Sequence, residues 1–377
     1  VSRPSARPHP GQTMAVLRAA FASALLVLGG LAPRPAAARP NLGGLATRPA
    51  ATRAAAEPTL LTEPAQGLAP IYALLGSARS TIHMTLYELL DPTATTLLTQ
   101  AADRGVQVQV ILDQNRKLRA NTPAYNQLTA HGVAVHWADP DYACTHQKTL
   151  TVDGTTSAVL TFNFTPRYYA TSRDFGVITR DPADVAAIEA TFQADFSDRT
   201  IIPPIGDDLV WSPTNARSSL LDLIDSAART LLVENEEMSD HGVVQALCAA
   251  AQRGVAVSII MTDRGTYSRA FDQLSAAGAA LALYAPSAPL YIHAKVLLAD
   301  YGTAGARVFI GSENFSRASL DRNRELGLLF ADPAVMSAIQ ATLSADFAGG
   351  EPYQGAGYPT RAASMATALG NSRWLSR

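Results

Sequence analysis

The stretch THQKTLTVDG at residues 145–154 returns as YIHAKVLLAD at residues 291–300, and a chain that repeats so specific a string has to accommodate two copies of one folding unit. The repeated residues are scarce ones. The 377-residue sequence holds seven His and three Lys (Lys117, Lys148 and Lys295), yet two of those Lys stand two places after a His and five before an Asp. Roughly 0.003 H-x-K-x4-D matches would arise by chance in such a chain, so ordinary surface placement does not account for two.

The likeness reaches well beyond the ten-residue strings. LLGSARSTIHMTLYEL (74–89) parallels LIDSAARTLLVENEEM (223–238), and LLTQAADRGVQVQVILD (97–113) parallels ALCAAAQRGVAVSIIMTD (246–263). Each half reads as a helix, an apolar strand, a helix ending at Arg-Gly, and a β-branched strand (Val106–Leu112; Val255–Met261). Another helix, a short strand and the His-Lys strand follow. Strands alternating with helices of this length predict an α/β fold of two tandem duplicated lobes. An offset of about 150 residues is too long for a solenoid repeat. The lobes are expected over 57–205 and 206–349, parted where Pro203 and Pro204 interrupt the pattern; residues 350–377 form a tail of weak periodicity.

Composition narrows the class. With 47% hydrophobic and 16% charged residues, disorder is excluded for the bulk of the chain. From Met14, Arg18 precedes an apolar run over Ala19–Leu31, and Ala36 and Ala38 are spaced for cleavage after Ala38. That pattern predicts a secretory signal within residues 1–38, behind an upstream extension, and hence a secreted or periplasmic protein; the run is short of a membrane span, so an uncleaved anchor is the weaker alternative. The Ala/Pro/Arg-rich residues 39–56 read as a disordered lead-in. From residue 39 onward the chain has a net charge of about −6, whereas a general nucleic-acid binder leans basic. Two Cys, Cys144 in a loop and Cys248 in a helical segment, predict no structural disulfide.

In a strand, residues i and i+2 face the same side, so His146 projects with Lys148 and His293 with Lys295. Asp153 and Asp300 lie at the strand ends, Asp153 just before Gly154 in a hairpin-like turn, which assigns them a supporting part in the catalytic set. The next strand carries Thr161 and Asn163 in one half, Ser312 and Asn314 in the other; eleven residues past each Asn stands an acid, Asp174 or Glu325. These residues suit phosphate chemistry. Lys148, Lys295, Asn163, Asn314, Ser312 and Thr161 supply charge and donors for a phosphodiester, one imidazole attacks phosphorus and the other protonates the leaving oxygen. A carboxylate behind each His would fix its tautomer. Since each half holds one imidazole, in-line displacement requires the lobes to face each other across the site. Zinc is the competing use of two His and two acids, but two Lys would repel it and no H-E-x-x-H or Cys/His cluster exists, so no metal or other cofactor is expected.

Other residues carry weaker signals. His83 sits on an apolar strand pattern and reads as a satisfied core residue. His136, Trp137, Tyr142 and Tyr291 flank the motifs, as mouth or as packing. Glu88, Glu234, Glu236 and Glu237 end the first strands and read as solvated or cation-pairing.

The doubled H-x-K-x4-D strings, each followed by Asn and then an acid, resemble the phospholipase D superfamily over roughly residues 60–349. The resemblance implies a metal-independent phosphodiesterase or phosphatidyltransferase working through a phosphohistidine. It implies His146 as nucleophile and His293 as general acid, with Asp174 holding His146 and Glu325 supporting His293. Leu160-Thr161 departs from the Gly-Ser that the family often has before Asn and that Gly311-Ser312 keeps. The leading expectation is an exported monomeric enzyme acting on phospholipid with transient membrane-surface contact. An exported nuclease is the alternative, and a cardiolipin synthase or a non-catalytic binding module ranks below it.

Overall fold

In the computed structural model, residues 57–263 and 265–355 are described. The expected signal, upstream extension and lead-in, and the tail beyond residue 355, lie outside them. The architecture is mixed α/β with two eight-stranded sheets. In the first, strands run in the order Thr59–Glu63, Ser172–Thr179, Thr156–Leu160, Lys148–Val152, Thr81–Leu86, Gln107–Leu112 and Ala134–Trp137. The second repeats this order with Leu209–Ser212, Glu325–Phe330, Arg307–Gly311, Val296–Ala299, Thr230–Glu234, Ala256–Thr262 and Ala280–Tyr284, and adds Glu351–Pro352 at the far edge. The last three strands of each seven are parallel, joined by helical crossovers; the others pair antiparallel.

The duplication is visible in the local chemistry of the crossovers. Helices Pro92–Asp103 and His241–Gln252 start on Asp91 and Asp240, whose carboxylates accept backbone N–H groups of the first turn. Both stop at Arg-Gly because Gly105 and Gly254 take positive φ, 88° and 92°, where a Cβ is strained. The edge strands Thr59–Glu63 and Leu209–Ser212 were not anticipated; five and four residues long, they give little periodicity to read.

Three large apolar clusters form the core. One lies between the first sheet and its outer helices, through Leu75, Leu98 and Leu128; its counterpart in the second lobe uses Leu220, Leu247 and Phe271. The third belongs to neither lobe alone: Val159, Phe175 and Val177 of the first sheet join Val296, Ile310, Leu326 and Leu328 of the second, with Ile188 and Ile339 from the helices Pro182–Asp195 and Pro333–Gly349. The lobes are therefore joined through a continuous hydrophobic interior, the term that dominates association.

Candidate active site at the lobe interface

The motif residues meet because each lobe reaches into the other's sheet. Tyr291–Ile292, leading into the second motif, pairs in parallel with Ser172–Arg173 of the first sheet. A matching bridge joins Thr145 to Arg324. The backbone then leaves regular pairing at the His itself. His146 and Gln147 N–H donate to the Arg324 carbonyl, at 2.9 and 3.0 Å, and His293 and Ala294 N–H to the Arg173 carbonyl, at 3.2 and 2.9 Å. Each His thus precedes its strand rather than lying within it. The Lys still turns back to the same side, since Lys148 Nζ donates to the His146 carbonyl and Lys295 Nζ to the His293 carbonyl.

This exchange crosses the imidazole–carboxylate pairs. His146 Nδ1 lies 2.8 Å from Glu325 Oε2, and His293 Nδ1 2.8 Å from Asp174 Oδ1. The pairing is the reverse of the one expected, because each acid directly follows the Arg against which the other lobe's motif docks. The carboxylates are themselves held: Glu325 Oε1 accepts from Ser319 Oγ and Asn323 Nδ2 at 2.5 and 2.8 Å, and Asp174 Oδ1 from Thr161 Oγ1 at 2.5 Å.

The two half-sites differ electrostatically. Burial, reinforced by the Lys148 charge and opposed by Glu325, pushes the His146 imidazolium down to about pH 4. Burial alone would raise Glu325, but His146, Lys148 and Ser319 outweigh it and hold it below the usual carboxylate range. His146 is thus a neutral imidazole whose Nδ1–H donates to Glu325, which leaves the lone pair on Nε2. Lys148 is pushed down to about 7, by burial first and by Lys295 against the pull of Glu325; a phosphodiester anion beside it would reverse that shift.

A cleft of about 620 Å³ runs along the interface, lined by His146, His293, Asn163, Asn314, Asp174, Glu236 and Glu237 among others. The side-chain oxygens of Asn163 and Asn314 are buried without a hydrogen-bond partner, so neither amide is tied down. All three Lys gather here. Lys117, unassigned from sequence, pairs with Glu88 at 2.9 Å and lies 4.9 Å from the Tyr87 ring centre, while Lys148 lies 5.0 Å from the same ring. Among the described residues no three His, Cys, Asp or Glu side chains are grouped as around a metal ion.

Several expected site residues belong elsewhere. Asp153 and Asp300 are not in the catalytic set but have the supporting part expected of strand-end residues: Asp153 accepts the N–H groups of Arg79, Ser80 and Thr81, and Asp300 those of Ala228, Arg229 and Thr230, which pins the far end of each motif strand. Their φ values of 53° and 52° mark the tight turn that requires this side-chain anchoring. Thr161 and Ser312 are fully buried behind the acids, Thr161 bonded to Asp174 and Ser312 Oγ accepting from Leu326 N–H, so their hydroxyls are already committed to the scaffold and not to phosphate. His83 is in the core, as its strand pattern predicted, bonded to Glu189 at 2.6 Å and stacked on Phe192. His136 pairs with Asp198, Trp137 stacks on Tyr125 and Tyr142 packs on Arg324, whereas Tyr291 does line the cleft. Glu234 is not solvated; it is wholly buried, and burial with Asp346 raises its carboxyl well above the usual range against the pull of the Arg173 charge.

Two buried ion pairs escaped the sequence reading. Arg173 forks onto Asp346 of the second lobe's last helix, at 2.5 and 3.0 Å, and Arg324 donates to Asp195 of the first lobe's last helix at 2.7 Å. The signal was present: Arg precedes each acid, and Ala-Asp-Phe recurs at 194–196 and 345–347.

Two segments, residues 71–196 and 220–347, match the family model described as "Cardiolipin synthase, PLD-like domain" and together cover more than half of the chain. Cardiolipin synthase A of Pseudomonas aeruginosa is 27% identical over 238 residues, 54% of this chain and 46% of that protein. Probable cardiolipin synthase YwiE of Bacillus subtilis is 25% identical over 140 residues, 36% of this chain and 28% of that protein. The chain spans about half the length or less of these curated relatives. Phosphatidylserine synthase of Haemophilus influenzae superposes with a TM-score of 0.60 over 83% of this chain and 92% of that one, at 12% identity, a likeness of fold alone. Fold and family together place the chain in the phospholipase D superfamily. More particularly, the chain belongs to the cardiolipin synthase-type PLD-like domain family, with both repeats present.

Proposed function

We propose that this protein cleaves a phospholipid phosphodiester through a phosphohistidine on His146 and passes the phosphatidyl group to an alcohol or to water. The observation that carries this is the pair of crossed imidazole–carboxylate contacts, one of which holds the Nδ1–H of His146, neutral through burial and the Lys148 charge, and so leaves its lone pair on Nε2. His146 Nε2 bonds to phosphorus as the P–O bond breaks, and the departing oxygen takes the proton of His293. In the second step the acceptor gives its own hydroxyl proton to His293 as its oxygen displaces His146 from phosphorus. Lys148, Lys295, Asn163 and Asn314 bind the equatorial oxygens as charge develops. Transfer is the branch we favour over hydrolysis, since the relatives are named as synthases. Export remains a reading of residues 14–38, testable by locating a full-length tagged chain.

The test is to quench turnover of labelled phospholipid, in chelator, and map the acid-labile phosphoryl group. We expect it on His146, and expect His146→Ala to form none. An adduct on His293 in the wild type would reverse the roles; cleavage of DNA but not lipid would favour a nuclease.

A further inference from the structure

Superposing the repeats in sequence aligns Tyr87 with Glu236, the residues that leave the first long strand of each lobe beside its motif. The Tyr87 ring packs edge-on against His146, with centroids 4.7 Å apart. Glu236 instead sets Oε2 3.4 Å from His293 Nε2 and 3.2 Å from Lys295 Nζ, and its Oε1 accepts from Tyr291 Oη at 2.8 Å. At this aligned position the two half-sites therefore differ by one charge. Glu237 adds a second acid to that wall, whereas on the His146 side Glu88 is neutralised by Lys117.

In-line displacement at a phosphorus attacked by His146 puts the departing alcohol, and later the accepting one, at His293. Glu236 stands at that end of the cleft. We infer that Glu236 determines specificity for this alcohol, accepting a hydrogen bond from a hydroxyl or ammonium group next to the reacting oxygen and disfavouring alcohols that carry an anion there. The inference rests on the assignment of His146 as nucleophile. A carboxylate already beside Lys295 repels a second anion, while an ammonium or a second hydroxyl gains a charge-assisted bond. Tyr291 Oη, donating to the other carboxylate oxygen, holds the acceptor atom in place before the alcohol arrives.

The experiment uses the full chain with dispersed dioleoyl phosphatidylglycerol as donor and ethanolamine, isotope-labelled glycerol, 1-propanol and glycolate as competing acceptors, with products counted as ratios by mass. We expect ethanolamine and glycerol products to exceed the 1-propanol product by about tenfold and glycolate to give least. Glu236→Gln should reduce the ethanolamine preference about tenfold and raise the glycolate share. Glu236→Tyr, which installs the residue of the other half, should abolish both discriminations. An active wild type whose ratios both variants leave within twofold overturns this inference alone. A wild type with neither lipid turnover nor a His146 adduct overturns the parent assignment, and this inference with it.

Discussion

At the scale of single residues, the crossed pairs assign different work to the two acids. Glu325 fixes the His146 tautomer, so Glu325→Gln should slow adduct formation by about 10²- to 10⁴-fold for all substrates. Asp174→Asn should hurt most where the leaving alcohol is poor, because it weakens His293 as the acid; rapid-quench measurement of adduct formation with good and poor leaving groups separates the two. The depressed His146 imidazolium also predicts a pH dependence. Its folded value, about 4, lies below the free value of 6.5. The unfolded chain therefore takes up a proton that the folded site refuses as pH falls from 6.5 to about 4. Stability from this group is complete above that window and is lost as pH falls through it. The acid limb of kcat/KM for the free enzyme should sit near 4 and not near 6.5, as a pH–rate profile would show.

At the scale of elements, Arg173–Asp346 and Arg324–Asp195 clamp each acid-bearing strand to the last helix of the other lobe. Arg324 is 1% exposed and also faces Tyr142 and Trp211. Arg324→Ala would leave Asp195 buried without its partner, and we expect a loss of about 3–5 kcal/mol in denaturant unfolding, partly recovered by Asp195→Asn in the same chain. These clamps show where sequence reading ends. The strand–helix order, the Arg-Gly helix stops and the His, Lys, Asn and acid positions were all legible, because each leaves a periodic or twice-repeated local trace. Which acid serves which His was not. Both pairings satisfy the same symmetric string, and proximity along the chain pointed to the wrong one. The choice is made by a two-residue strand, Tyr291–Ile292, whose brevity gives no periodicity. The roles of Thr161 and Ser312 were misjudged for a related reason: a hydroxyl near a phosphate site looks the same in sequence whether it faces the cleft or stands behind it.

At the scale of the whole molecule, the shared apolar cluster and the exchanged carboxylates make one catalytic unit out of two halves. A fragment of residues 57–205 keeps His146 but loses Glu325 and exposes Phe175 and Val177, so it should be inactive as a monomer. Coexpression with the fragment beginning at residue 206 should restore activity, read as lipid turnover by the copurified pair. Full activity from the monomeric first fragment would refute the interlocked arrangement.

The exchanged strand ends have a further consequence. Two separate copies of such a lobe would satisfy each other's histidines only as a dimer, at a rate and occupancy set by their concentration. Joined in one chain, the partner carboxylate is always present at the effective concentration of a tether, so dilution no longer disassembles the site. Release from twofold symmetry also lets the halves diverge: a tyrosine at one end and a glutamate at the other is a distinction that a homodimer of identical lobes has no means to encode.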